Sequence, residues 1–91
     1  MRTKEATIPW KAGLHARPAA ALVKLARSFR SAITLRADER EADARSIHSL
    51  LMLCASMGTT VVVEASGEDE QEAVVAVVKL LDEGELSPGE D

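Results

Sequence analysis

The chain has 91 residues and a mass of 9.7 kDa. That gives room for one small domain, which buries about 60–65% of the surface its unfolded chain exposes. Apolar residues make up 46%, which excludes a disordered chain, while aromatics contribute only 2% (Trp10 and Phe29), so the core must come from Ala, Val, Leu and Ile. A formal charge of −4 and a pI near 5.1 exclude the usual nucleic-acid binder, whose domains are basic with a pI above about 9.

Cys54 is the single cysteine, which excludes an internal disulfide framework and a multi-cysteine metal cage. With His15 and His48 as the only histidines, no pair stands at metal-ligand spacing, so neither metal nor cofactor is expected. The apolar runs, such as residues 73–78, are too short to cross a bilayer, and there is no charged-then-apolar leader. The expectation is a soluble, cytoplasmic monomer with no membrane insertion. Charge is split unevenly. Residues 1–45 hold ten Lys/Arg against five acids, a balance of +5, whereas residues 46–91 hold only Lys79 against ten acids, a balance of −9. The acids read as solvated helix faces, and the basic half can steer an acidic protein partner.

In chain order, Ala6, Ile8 and Trp10 alternate with polar neighbours and predict a first strand. Ala19, Leu22, Val23, Ala26 and Phe29 follow helical spacing, and Pro18 fits the first turn, where its missing N–H costs nothing. Ile33, Leu35 and Ala37 predict a second strand, Asp38-Glu39 a hairpin turn, and Arg40–Asp43 a short, charged edge strand. Ile47, Leu50, Leu51 and Cys54 repeat the helical spacing, with Ser46 as N-cap and Gly58 as stop. On that stripe Cys54 reads as core, whereas Ile47 and Leu51 belong either to the core or to a docking patch.

Val61, Val63 and Ala65 predict a last strand. Val74, Val77, Val78 and Leu81 then predict a third helix with an acidic start at Glu68–Glu70 and Gly84 after its last turn. The order β-α-β-β-α-β-α with short connections predicts an α+β open-faced sandwich: four antiparallel strands, wet on one face, with three helices on the other. A single domain over residues 1–85 is expected, followed by a flexible tail over 86–91.

The segment Gly13-Leu14-His15-Ala16-Arg17-Pro18-Ala19-Ala20 is hard to explain as scaffolding. His15 stands where a loop opens into a helix, at the positive end of its dipole. Gly13 permits a sharp turn, and Pro18 is expected to hold Arg17 on the loop side of the boundary. An imidazole is a good nucleophile near pH 7, and a phosphorylated ring carries about two negative charges that Arg17 and the amides of Ala16 and Arg17 can offset. A shallow site with one Arg also lets the cargo go. Taken singly, His15 reads as an inert polar cap and Arg17 as a solvated charge; it is their joint spacing that points to the phosphoryl site.

The run Gly-Leu-His-Ala-Arg-Pro-Ala resembles the active-site signature of HPr, the histidine-containing phosphocarrier family of the bacterial phosphoenolpyruvate-dependent phosphotransferase system. The resemblance continues through Arg45-Ser46-Ile47, Gly58 and Gly67–Ala73, nearly the whole chain. It implies an open-faced sandwich in which His15 accepts a phosphoryl group on Nδ1 from phospho-enzyme I and passes it to a IIA protein or domain. Arg17 would orient the phosphate. Ser46 matches the serine that a dedicated kinase modifies in many relatives, and a plain N-cap role is compatible with that. The implied docking residues are Ala20, Lys24, Arg27, Ile47, His48 and Leu51, and Lys24, Arg27 and Arg45 would steer acidic partners.

The segment Ser46–Leu53 is similar to the nitrogen-related NPr branch. Ala12 stands where many sugar-system members carry Asn or Ser, and His48 replaces an apolar residue common in them. Sugar relay, nitrogen-type regulation and a non-relay interaction module all remain open at this point. An acylphosphatase-like hydrolase is excluded because its catalytic asparagine has no counterpart: the chain contains no asparagine. With no Gly-rich nucleotide loop, ATP is not the direct donor. The expected protein is a stoichiometric carrier rather than a turnover enzyme.

Overall fold

Alternation of apolar and polar residues builds β2 (Ala32–Ala37) and β4 (Thr60–Ser66), while β1 (Arg2–Thr7) and β3 (Arg40–Asp43) bury one alanine each and complete a four-stranded sheet. The predicted first strand ends at Thr7, so Ile8 and Trp10 enter the core from the segment after it. Three helices, α1 (Ala16–Arg27), α2 (Ile47–Met52) and α3 (Glu70–Glu83), complete the predicted order. The computed structural model describes residues 1–84, so the expected tail at 86–91 lies outside the described residues. The strands run in the order β1-β4-β2-β3, every neighbour antiparallel. Leu35 pairs with Val63 and with Ala42, and all three point into the core.

The other face of the sheet stays open. Arg36, from β2, pairs there with Glu41 at 3.1 Å and Glu64 at 2.9 Å. Its guanidinium is held above its ordinary pKa, first by the hydrogen bond to Glu41 and then by the charge of Glu64. Asp38 turns the hairpin in the left-handed region at φ 55°, a conformation Asp tolerates better than most residues.

The helices cover one face of the sheet. α1 buries Pro18, Ala19, Leu22, Val23 and Ala26, and each Leu or Val removed from water in this way contributes about 1.5–3 kcal/mol. Phe29 lies beyond the end of α1, half-buried against the core. α3 buries Ala73, Val74, Val77 and Leu81 and ends at Gly84 in the left-handed conformation, φ 60°, so its valines obey tertiary burial rather than their strand propensity. The Trp10 ring closes that end of the core, donating from Nε1 to the Gly84 carbonyl at 3.0 Å. No helix among the described residues is long and apolar enough to cross a membrane.

Three further expectations are corrected. α1 begins at Ala16, so Arg17 is its second residue rather than part of the loop; the bias against helical geometry before proline is outweighed here by the packing of the buried Pro18 and Ala19. α2 ends at Met52, well before Gly58. Its stop is Cys54, which takes a left-handed φ of 55° just past the helix. That turn leads the chain away, and Cys54 is exposed rather than in the core.

Candidate functional site

His15 is the N-cap of α1, with extended backbone angles and a carbonyl that accepts the first helical bond, from Ala19 N at 2.9 Å. Its ring does not cap the helix. Instead Nδ1 lies 2.8 Å from the Gly13 carbonyl oxygen. A carbonyl can only accept, so in this arrangement Nδ1 carries the proton. Gly13, at φ +75°, makes the turn that brings its carbonyl within reach of the ring nitrogen, and its own N–H donates to Trp10 O at 2.8 Å. Leu14 is buried and donates to Ala55 O at 2.8 Å, which fastens the loop to the segment following α2.

The ring is half-buried, and Ala16 and Arg17 beside it are exposed. The amides of Ala16 and Arg17 precede the first intrahelical bond, and Pro18 supplies no third N–H. The positive end of the α1 dipole and one guanidinium therefore share the surface on which the imidazole stands. Such a site can take an anionic group at a ring nitrogen and solvate it without enclosing it. Among the described residues no cluster of three or more His, Cys, Asp or Glu is arranged to hold a metal ion.

Ala20, Lys24 and Arg27 form an exposed row along α1 at helical spacing. α1 packs against α2. The two run antiparallel: Arg27 Nη2 donates to the Arg45 carbonyl just before α2, whereas Leu14, just before α1, bonds to Ala55 after α2. Ile47 (42% exposed), Leu51 (37%) and His48 are thus presented next to the basic row. Only Leu50 of this helix enters the core.

Ser46 is the N-cap of α2, its hydroxyl accepting from Ser49 N at 3.1 Å. Arg45 departs from its expected role. It is half-buried, and its guanidinium donates to the Phe29 carbonyl rather than standing out as a steering charge. Sequence reasoning missed Met52 and Met57, 60% and 57% exposed. The signal for Met52 was its position one turn beyond His48; Met57, in a loop, offered none.

An open-faced sandwich with a histidine at the N-cap of its first helix defines the class of small α+β protein to which the chain belongs. The comparisons agree. The family description "PTS HPr component phosphorylation site" matches residues 2–83. Phosphocarrier protein HPr of Cupriavidus necator is 43% identical over 81 residues, covering 89% of this chain and 91% of the relative. Phosphocarrier protein NPr of Escherichia coli K12 is 45% identical over 75 residues, covering 81% and 83%. The crystal structure of HPr-C-His from Thermoanaerobacter tengcongensis superposes with a TM-score of 0.88 at 40% identity, covering 94% of this chain and 99% of that one. The chain belongs to the HPr family of phosphocarrier proteins of the phosphotransferase system. It is a stoichiometric carrier of phosphoryl groups, not a turnover enzyme.

Proposed function

We propose that His15 is the phosphoryl acceptor, loaded by phospho-enzyme I and unloaded onto a IIA protein or domain. The reading is carried by one observation: a reachable imidazole at the N-cap of α1, inside the Gly13–Ala19 motif. For attack through Nδ1, the ring must turn off the Gly13 carbonyl, and the proton that Nδ1 donated there must leave to solvent water while Nε2 takes one up. The Nδ1 lone pair then forms the new N–P bond as the donor's bond to phosphorus breaks. Arg17 and the amides of Ala16 and Arg17 offset the phosphoryl charge. Ala20, Lys24, Arg27, Ile47, His48 and Leu51 form the docking face, whose partners cover the site and exclude water. Ser46 is a second modification site, for an HPr kinase/phosphorylase: a phosphate there sits at a helix start and repels partners of this face.

Incubation with enzyme I and phosphoenolpyruvate will place an acid-labile, base-stable phosphate on the wild-type chain and none on His15→Ala. Arg17→Ala will slow both transfers on the order of a hundredfold. A wild-type chain that takes no label under these conditions is an interaction module instead. The 45% identity to an NPr protein supports a second reading, in which the acceptor is a nitrogen-type IIA protein. Transfer rates to sugar-type and nitrogen-type acceptors decide between the two.

A further inference from the structure

Arg45 lies between β3 and α2, yet its side chain works at the far end of α1. Its Nη2 donates to the Phe29 carbonyl and reaches the Ser31 carbonyl at 3.5 Å. Its main chain is held from both sides. The N–H donates to Asp43 Oδ1 at 2.9 Å, and the carbonyl accepts from Arg27 Nη2 at 3.3 Å. Asp43 N in turn donates to Ser49 Oγ, and Ser49 N to the Ser46 hydroxyl. A cation is also electrostatically suited to the carbonyls beyond the end of α1.

α2 needs such a fixture. It has six residues and buries one, Leu50, so neither its propensity nor its own packing sets its direction. Its far end is pinned where Leu14 N donates to Ala55 O. The end nearest Arg27 is held to the sheet by buried Ala44, which donates to Ile33 O at 3.0 Å, and to β3 by Asp43 N donating to Ser49 Oγ, whereas Arg45 ties it to α1 and the chain just beyond it.

We infer that Arg45 is a positioning residue for phosphoryl transfer: it sets α2 against α1, so that the basic row and the apolar row meet a partner as one surface. The inference rests on the docking reading above.

The test is the rate of His15 phosphorylation by phospho-enzyme I as a function of the concentration of this chain, at low and high salt. Wild type, Arg45→Met and Arg36→Met are compared at a temperature where circular dichroism shows all three folded. Arg45→Met will raise KM about tenfold with kcat within about twofold, since a misplaced surface weakens the encounter complex and leaves the chemistry alone. The ratio will persist at high salt, which screens a mere loss of charge. Arg36→Met, which breaks the ion pairs on the open face, will lower Tm without moving KM.

A wild-type KM for Arg45→Met, or a ratio that collapses in salt, overturns the inference whatever happens to Tm. Should the Met chain not fold, Arg45→Lys, which exchanges the planar fork for a point charge, is read by the same two criteria. A wild-type chain that takes no phosphoryl group removes the docking reading and this inference together. A labelled wild type with an unshifted variant KM removes the inference alone.

Discussion

Gly13 holds φ at +75°, and a Cβ there would sit 2.6 Å from the Ala55 carbonyl oxygen and 3.1 Å from the Ser56 Cα. Both neighbours are main chain, so neither swings aside. Gly13→Ala is therefore expected to cost about 1–3 kcal/mol, read as a lowered urea midpoint with an unchanged slope. The turn at Gly13 was legible from the residue type alone. The Ala55 carbonyl, which accepts from Leu14 and crowds Gly13, was not, because nothing local marks an alanine as the far side of a long-range contact. The same limit applies to the ring of His15. Its place at a helix start follows from Pro18 and the apolar spacing, but its bond to Gly13 O depends on a loop conformation that no periodicity encodes.

At the level of the element, α2 shows where spacing stops being informative. Ile47, Leu50, Leu51 and Cys54 share one helical stripe in the sequence, yet Leu50 is fully buried while Ile47, Leu51 and Cys54 are exposed. A six-residue helix offers the core a single position, so apolar residues beside it serve another surface, and the 3.6-residue period is the same for both uses. The cap was legible because it is local chemistry: Ser46 accepts from Ser49 N as a serine before a helix is expected to do. Ser46→Ala will lower stability by about 1 kcal/mol, and Ser46→Gly by less, measured by chemical denaturation. For α1 and α3, longer and with several buried positions each, the same period identified most of the core.

For the molecule as a whole, one carboxylate joins the chain beyond α1 to the start of α3. Asp69 accepts from Ser31 Oγ at 2.6 Å and from the amides of Arg30 and Ser31 at 2.9 Å. Those bonds, led by the Ser31 hydroxyl and then the Arg30 amide, hold its pKa below the ordinary 3.8. Next to it Glu70 is held below 4.5, first by the Gly67 amide and then by the Met1 ammonium. Both groups bind protons less readily folded than unfolded. Their contribution is complete above the ordinary carboxylate values and is lost as pH falls through the depressed ones. Urea midpoints measured from about pH 5 down to about pH 2 should fall steeply for the wild type and less steeply for Asp69→Asn. The acidic start of α3 was legible; its partner Ser31 was not, because an isolated serine between a helix and a strand carries no sign of full burial. The main-chain support of the His15 loop has a different consequence. Leu14 hangs from one carbonyl and the imidazole from another, while Ala12, Ala16 and Ala20 face solvent around them. Mutational drift at those three outward positions can retune partner choice over generations without unseating the reactive group, because the carbonyls that moor it belong to Gly13 and Ala55.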